Sequence, residues 1–128
     1  MHNMPRVLIV DDDPEIVQAV NVRLRAAGYD VIAAADGEQG LVRALETRPD
    51  VIVMDLKLPT MDGLTALAEI HSHSATRKTP VVVLSACSSA RNHALELGAR
   101  YFLDKPYNAK TLLAAIESSM AGEVAGVE

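Results

Sequence analysis

The sequence predicts an α/β domain in which five short parallel strands alternate with five helices that cover both faces of one sheet. Three observations lead there. Short apolar runs, rich in β-branched residues, recur at 7–10, 31–34, 51–54, 81–84 and 101–103. They are the length of strands, and their lack of polar alternation is the pattern of strands buried on both faces. The intervening segments place apolar residues at helical spacing. No internal repeat, low-complexity tract or linker interrupts the alternation, so residues 5–120 read as one domain and 121–128 as a flexible C-terminal tail.

Size and composition agree. At 128 residues with 49% hydrophobic content, one core is expected. The formal net charge is -5 and no Lys/Arg run occurs, which argues against direct nucleic-acid binding. A single cysteine, Cys87, excludes an internal disulfide and a Cys-based zinc site. It also suits a reducing compartment. The first residues lack a signal-peptide pattern and no apolar run approaches membrane-spanning length, so a cytoplasmic protein with no membrane contact is expected.

In chain order, the first strand (7–10) ends on Asp11, Asp12 and Asp13. Asp13 is the natural N-cap of a helix with Pro14 at its first position. Ile16, Val17, Val20 and Leu24 form that helix's inner face, and Gly28 sits where a left-handed C-cap belongs. The run at 31–34 is less bulky, as near a sheet edge. Asp36-Gly37 turns the chain into a helix around Leu41, Val42 and Leu45, ending before Pro49. Val51-Ile52-Val53-Met54 then stops on Asp55, and Pro59 forbids continuation of the ladder. The loop 58–63 leads into a helix carrying Leu64, Leu67 and Ile70, and His71 to Thr79 reads as a polar loop. The fourth strand stops on Ser85. Ser88 or Ser89 is the expected cap of a short helix through Ala94 and Leu97, closed by Gly98. Tyr101-Phe102-Leu103 leads to Asp104-Lys105-Pro106, and Asn108 caps a last helix with Leu112, Leu113, Ile116 and Met120 inward. Fraying is expected from Ser118 onward.

In a parallel sheet all carboxyl ends share one edge, where open α/β sheets build their sites. Asp11, Asp12, Asp55, Ser85 and Lys105 all fall there. If the first and third strands are neighbours, three carboxylates converge. Such a cluster needs a cation, and an oxygen-only donor set favours Mg²⁺. Blander explanations stand beside these: Asp55 as a turn residue, Asp13 as a cap, Lys105 as a surface lysine. Capping explains Asp13 but leaves Asp11 and Asp12 unexplained, and Lys105 at a strand end before Pro106 is better placed as a counter-ion.

The motifs Val-Asp-Asp at 10–12, Met-Asp-Leu at 54–56, Leu-Pro-Thr-Met-Asp-Gly at 58–63, Leu-Ser-Ala at 84–86 and Asp-Lys-Pro at 104–106 occur in that order. Together they resemble the response-regulator receiver domains of two-component signalling, including the stand-alone chemotaxis receiver. The resemblance implies a flavodoxin-like sheet of order 2-1-3-4-5. It also implies a phosphoacceptor switch, not an enzyme with a separate substrate, showing only self-phosphorylation and slow autodephosphorylation. Asp55 would take a phosphoryl group from a phosphohistidine on a sensor histidine kinase or histidine phosphotransfer protein. Asp12, Asp55 and the backbone carbonyl of Lys57 would ligate Mg²⁺, with Asp11 acting through water. Lys105 would pair with Asp55 and then with the phosphoryl group. Ser85 would turn to that group and Phe102 would turn inward behind it, altering the surface around the fourth helix, fifth strand and fifth helix. A downstream target or a phosphorylation-dependent homodimer would read that surface. Phe102 also reads as an ordinary core residue, with Tyr101 on the opposite face. The resemblance implies a cis Lys105–Pro106 bond, against a general frequency of about 5–6%.

Some residues depart from the pattern or stand outside it. Between Ser85 and Gly98 the chain is about two residues shorter than the family's, which predicts a compressed or shifted fourth helix. Lys57 and Cys87 lie two residues past Asp55 and Ser85, at positions that bear on phosphoryl lifetime, and Cys87 reads as a bystander thiol. His71-Ser72-His73 resembles half a metal site but is better explained by loop polarity; His93 reads as a solvated helix residue. A haloacid-dehalogenase-type phosphohydrolase expects Asp where Lys57 stands. A flavin mononucleotide site expects a Ser/Thr/Gly-rich first loop, where three aspartates stand, and Trp is absent. The remaining alternative is a receiver-like interaction scaffold that is never phosphorylated, and the joint presence of Asp12, Asp55, Ser85 and Lys105 speaks against it.

Overall fold

The structure, a computed structural model, describes residues 4–121. Its strands are β1 (Arg6–Val10), β2 (Asp30–Ala34), β3 (Val51–Asp55), β4 (Val81–Ser85) and β5 (Tyr101–Asp104). Its helices are α1 (Pro14–Ala26), α2 (Gly37–Thr47), α3 (Gly63–Ser72), α4 (Arg91–Glu96) and α5 (Ala109–Met120). All strands pair in parallel, in the order β2-β1-β3-β4-β5. This is the flavodoxin-like arrangement expected, with the less bulky β2 at an edge and β1 beside β3.

The period-2 alternation of strand side chains divides the core in two. Leu8, Val10, Ile52, Met54, Val81, Val83 and Phe102 pack on one face with Ala44, Leu67, Ile70 and Ala94 from α2, α3 and α4. Val7, Ile9, Val51, Val53, Val82 and Leu84 pack on the other with Val20, Leu24, Leu112 and Ile116 from α1 and α5. Every residue of β3 and β4 is buried, as their unbroken apolar runs require. Each apolar side chain among them contributes about 1.5–3 kcal/mol relative to exposure.

Helix starts follow cap chemistry. Asp13 accepts from the Glu15 N–H, Asp36 from Gln39, Asp62 from Thr65 and Asn108 from Lys110, at 2.7–3.0 Å. Gly28 follows α1 with φ 97°, the left-handed conformation expected of it. Lys105–Pro106 is cis.

Four details differ from the sequence-based expectation. Neither Ser88 nor Ser89 caps α4: a 3-10 turn (Ser88–Ala90) leads straight into it, and Ala90 at the N-cap makes no side-chain bond. Val42 is exposed, because α2 packs through Gly37, Gly40 and Ala44. A Cβ at Gly40 would come within 2.8 Å of Val10, and one at Gly37 would overlap the Met61 carbonyl. His71 belongs to α3 and not to a loop; its ring lies between the carbonyls of Leu97 (3.1 Å) and Thr79 (3.0 Å), where Gly98 leaves room for it. The last helix does not fray at Ser118 but runs to Met120, because Ile116 and Ser119 are buried. The tail expected over 121–128 lies, apart from Ala121, outside the described residues. In the segment expected to be compressed, between Ser85 and Gly98, the 3-10 turn Ser88–Ala90 is followed by an α4 of six residues.

Candidate functional site

Adjacency of β1 and β3 builds the site. Val10 pairs with Met54, so the next residues, Asp11 and Asp55, leave neighbouring strands side by side. Carboxylate oxygens of Asp11, Asp12 and Asp55 lie within 4.8 Å of one another. Asp11 and Asp55 are 3% and 8% exposed, while Asp12 is open to solvent at the mouth. From β5, Lys105 reaches across β4 and donates to Asp55 Oδ2 at 2.8 Å, with Asp11 Oδ2 3.9 Å away. The Lys105 N–H donates to the Ser85 carbonyl at 2.8 Å, fixing that reach.

The hydrogen bonding is incomplete in one place. Asp55 Oδ1 accepts from the Lys57 N–H at 3.1 Å, and Asp11 Oδ1 from the Asp13 N–H at 2.9 Å. Asp11 Oδ2 is buried and has no hydrogen-bond partner. Burial pushes the Asp11 carboxyl above its ordinary range and the charges of Asp55 and Asp12 push the same way, against the Asp13 N–H bond and Lys105. For Lys105 burial alone would lower the pKa, but its hydrogen bond and charge contact with Asp55, with Asp11 adding, hold it above the ordinary lysine value. Three carboxylates against one ammonium leave the pocket short of positive charge. An oxygen-only donor set with one buried oxygen unpartnered fits a hard divalent cation.

Of the other residues singled out, Ser85 is buried beside this cluster, its hydroxyl accepting from the Cys87 N–H (3.0 Å) and donating to the Cys87 carbonyl (3.4 Å). With Asp55, Lys57 and Lys105 it lines a groove whose apolar wall is Leu56, Leu64, Ala86 and Ala90. Phe102 is 5% exposed and points into the core, whereas Tyr101 packs on the opposite face. Cys87 is exposed on the groove rim, and a hydrogen bond with the Ser89 hydroxyl, 3.0 Å from its sulfur, lowers its pKa. His71 is held by carbonyls and His93 is exposed on α4.

Two supports were not read from the sequence. Gly63 lets α3 start against the site: its N–H donates to the Leu56 carbonyl at 2.8 Å, and a Cβ there would lie 2.6 Å from the Asp55 carbonyl. The Asp62-Gly63 pair was the available signal. Thr60 has φ 64°, a conformation that β-branched residues rarely adopt, and its hydroxyl faces the Glu38 N–H at 3.4 Å. Nothing in its residue type announces that.

Fold and site together define a flavodoxin-like α/β domain with an acidic, cation-seeking pocket at the carboxyl edge of its sheet. The chain belongs to the response regulator receiver domain family, whose model matches residues 7–117. Among relatives, the "DNA-binding dual master transcriptional regulator RpaA" of Synechocystis is 38% identical over 90% of this chain and 48% of its own. The "Transcriptional regulatory protein PrrA" of Mycobacterium leprae is 40% identical over 89% and 49%. The chain thus spans about half the length of these curated relatives. Among solved structures, the chemotaxis response regulator CheY4 of Vibrio cholerae superposes with a TM-score of 0.84 at 35% identity, covering 91% of this chain and 99% of that one. The receiver domain of the sensor histidine kinase PA1611 of Pseudomonas aeruginosa, with a magnesium ion in its active-site cleft, gives a TM-score of 0.85 at 31% identity, covering 92% and 98%. Receiver domains are signalling phosphoacceptors that bind Mg²⁺ in the acidic pocket and work with histidine kinases and output domains. No helix among the described residues is long and apolar enough to cross a membrane.

Proposed function

We propose that Asp55 accepts a phosphoryl group from a phosphohistidine on a sensor histidine kinase or histidine phosphotransfer protein. The observation that carries this reading is the pairing of Asp55 with Lys105 at 2.8 Å beside the unpartnered, buried Asp11 Oδ2. Asp12, Asp55 and the Lys57 backbone carbonyl would hold Mg²⁺, with Asp11 acting through water. Bound Mg²⁺ supplies neutralisation of the clustered carboxylates and of the incoming phosphoryl oxygens.

The chain's own residues do the rest. An Asp55 oxygen attacks phosphorus as the bond to the imidazole nitrogen breaks, and the bonding pair leaves with that nitrogen. The Lys57 N–H and the Lys105 ammonium orient the Asp55 carboxylate. After transfer, Lys105 pairs with a phosphoryl oxygen, which exchanges one buried charge contact for another. Ser85 gives up its bonds to Cys87 and donates to a second phosphoryl oxygen. Phe102, on the strand beside β4, is the aromatic through which that movement alters the face formed by α4, β5 and α5. A downstream target, an output domain or a second copy of the chain reads the altered face, and the chain itself binds no nucleic acid.

Intact mass after incubation with Mg²⁺ and acetyl phosphate tests this. The wild type gains one phosphoryl mass, and the gain disappears with chelator and in Asp55→Asn. A wild type that gains nothing, even with a competent phosphohistidine donor, contradicts the proposal and favours the phosphorylation-independent scaffold.

A further inference from the structure

The segment after Ser85 leaves α4 thinly supported. The helix has six residues, buries only Ala94 and lacks a side-chain N-cap. So short a helix has little intrinsic stability and depends on tertiary contacts. Its C-terminal end is anchored where the His71 ring meets the Leu97 carbonyl. Its first residue, Arg91, makes three contacts with β5. Nη2 donates to Asp104 Oδ2 at 2.8 Å, Nη1 to the Phe102 carbonyl at 3.3 Å, and Cζ lies 4.8 Å from the centroid of the Phe102 ring.

An exposed Arg–Asp pair alone contributes little. Here one planar guanidinium caps an aromatic face and also holds the backbone of the residue bearing that ring and the carboxylate two residues on. A lysine could not satisfy that geometry. The other side of Arg91 leads back to the hydroxyl beside Asp55. Ser85 Oγ is bonded to Cys87 N and O, the Cys87 carbonyl accepts from the Ala90 N–H at 3.1 Å, and Arg91 follows. The inward Phe102 ring and the Ser85–Cys87 bonds coexist in this structure, so the ring's position does not require Ser85 to leave Cys87.

We infer that Arg91 is the positioning residue that clamps α4 onto β5 and keeps Phe102 inward, and that movement of Ser85 away from Cys87 is relayed through residues 86–90 to this clamp. The relay rests on the phosphoacceptor reading above; the clamp does not. Arg91 touches none of the acidic cluster, so it governs readout and leaves acceptance of the phosphoryl group intact.

The chain contains one phenylalanine, so fluorophenylalanine labelling gives a single ¹⁹F reporter at Phe102. In the protein without phosphodonor, the wild type gives one narrow resonance, Arg91→Gln gives a shifted or exchange-broadened one, and Arg91→Lys fails to restore the wild-type signal. Asp104→Asn, which weakens one contact only, gives a smaller shift. Circular dichroism on each variant separates this from unfolding. Adding beryllofluoride and Mg²⁺ moves the wild-type resonance and leaves that of Arg91→Gln unmoved. An unchanged resonance in a folded Arg91→Gln, or full rescue by Arg91→Lys, overturns the clamp. A beryllofluoride response equal in both proteins overturns the relay, as does loss of phosphoryl mass gain in Arg91→Gln. Failure of the wild type itself to gain phosphoryl mass contradicts the phosphoacceptor reading and leaves the clamp comparison standing.

Discussion

Asp11 is held by the Asp13 N–H through one carboxylate oxygen, and its other oxygen is buried against Asp55 with no hydrogen-bond partner. Leaving a buried polar atom unsatisfied costs about 1–3 kcal/mol. In metal-free buffer Asp11→Asn should therefore raise the unfolding midpoint in urea, since it removes a charge from a cluster already short of cations. The pH dependence has a definite sign. The folded-state pKa of Asp11 is raised, so the folded form binds more protons than the unfolded form between the ordinary 3.8 and the raised value. Its contribution to stability is complete below 3.8 and is lost as pH rises through the raised pKa. The difference in midpoint between wild type and Asp11→Asn should thus grow as pH rises toward neutrality; a constant difference would contradict this account. Asp11, Asp12, Asp55, Ser85 and Lys105 were all legible from where apolar runs stop, because a buried strand has a clear end. Gly63 was signalled by the Asp62-Gly63 pair but not read, and Arg91 and Thr60 were not legible. Their roles depend on which surface each element meets, and residue type does not encode that.

At the level of elements, the buried runs identified β1, β3 and β4, and the caps Asp13 and Asn108 marked the starts of α1 and α5, whereas Asp36 and Asp62 cap α2 and α3 without having been read as caps. Removing a cap should cost about 0.5–2 kcal/mol, so Asp36→Ala should lower the urea midpoint with little change in the slope. On α2 Leu41 packs against the core as expected but Val42 does not, because close approach through Gly37, Gly40 and Ala44 determines the packing. Gly37 lies against the Met61 carbonyl and its N–H donates to the Pro59 carbonyl at 3.3 Å. Gly37→Ala should displace the loop leading from Lys57 to Asp62 and weaken Mg²⁺ binding several-fold in calorimetry. Unchanged affinity would detach that loop from the site. The start of α4 was misread for a related reason. A 3-10 turn replaces a side-chain cap, and Ser89 bonds to the Cys87 thiol instead.

Across the whole molecule, the strand order β2-β1-β3-β4-β5 is what turns separate strand ends into one site. The strand order followed from the family resemblance and was not deducible from the alternation of elements alone; which helices cover which face then follows from right-handed crossovers. A ligand that binds only the folded form stabilises it by about 2.7 kcal/mol at a hundred times its dissociation constant. Mg²⁺ should therefore raise the melting temperature of the wild type and do so far less in Asp12→Asn; equal shifts would place the ion elsewhere. The central claim concerns one oxygen-bearing side chain among three neighbours. It is tested most directly by treating the protein with Mg²⁺ and acetyl phosphate, reducing the acyl phosphate with borohydride, and sequencing the peptides by mass spectrometry. The account predicts homoserine at position 55 and nowhere else. Homoserine at position 11 or 12, or its absence from the whole acidic pocket, would contradict it.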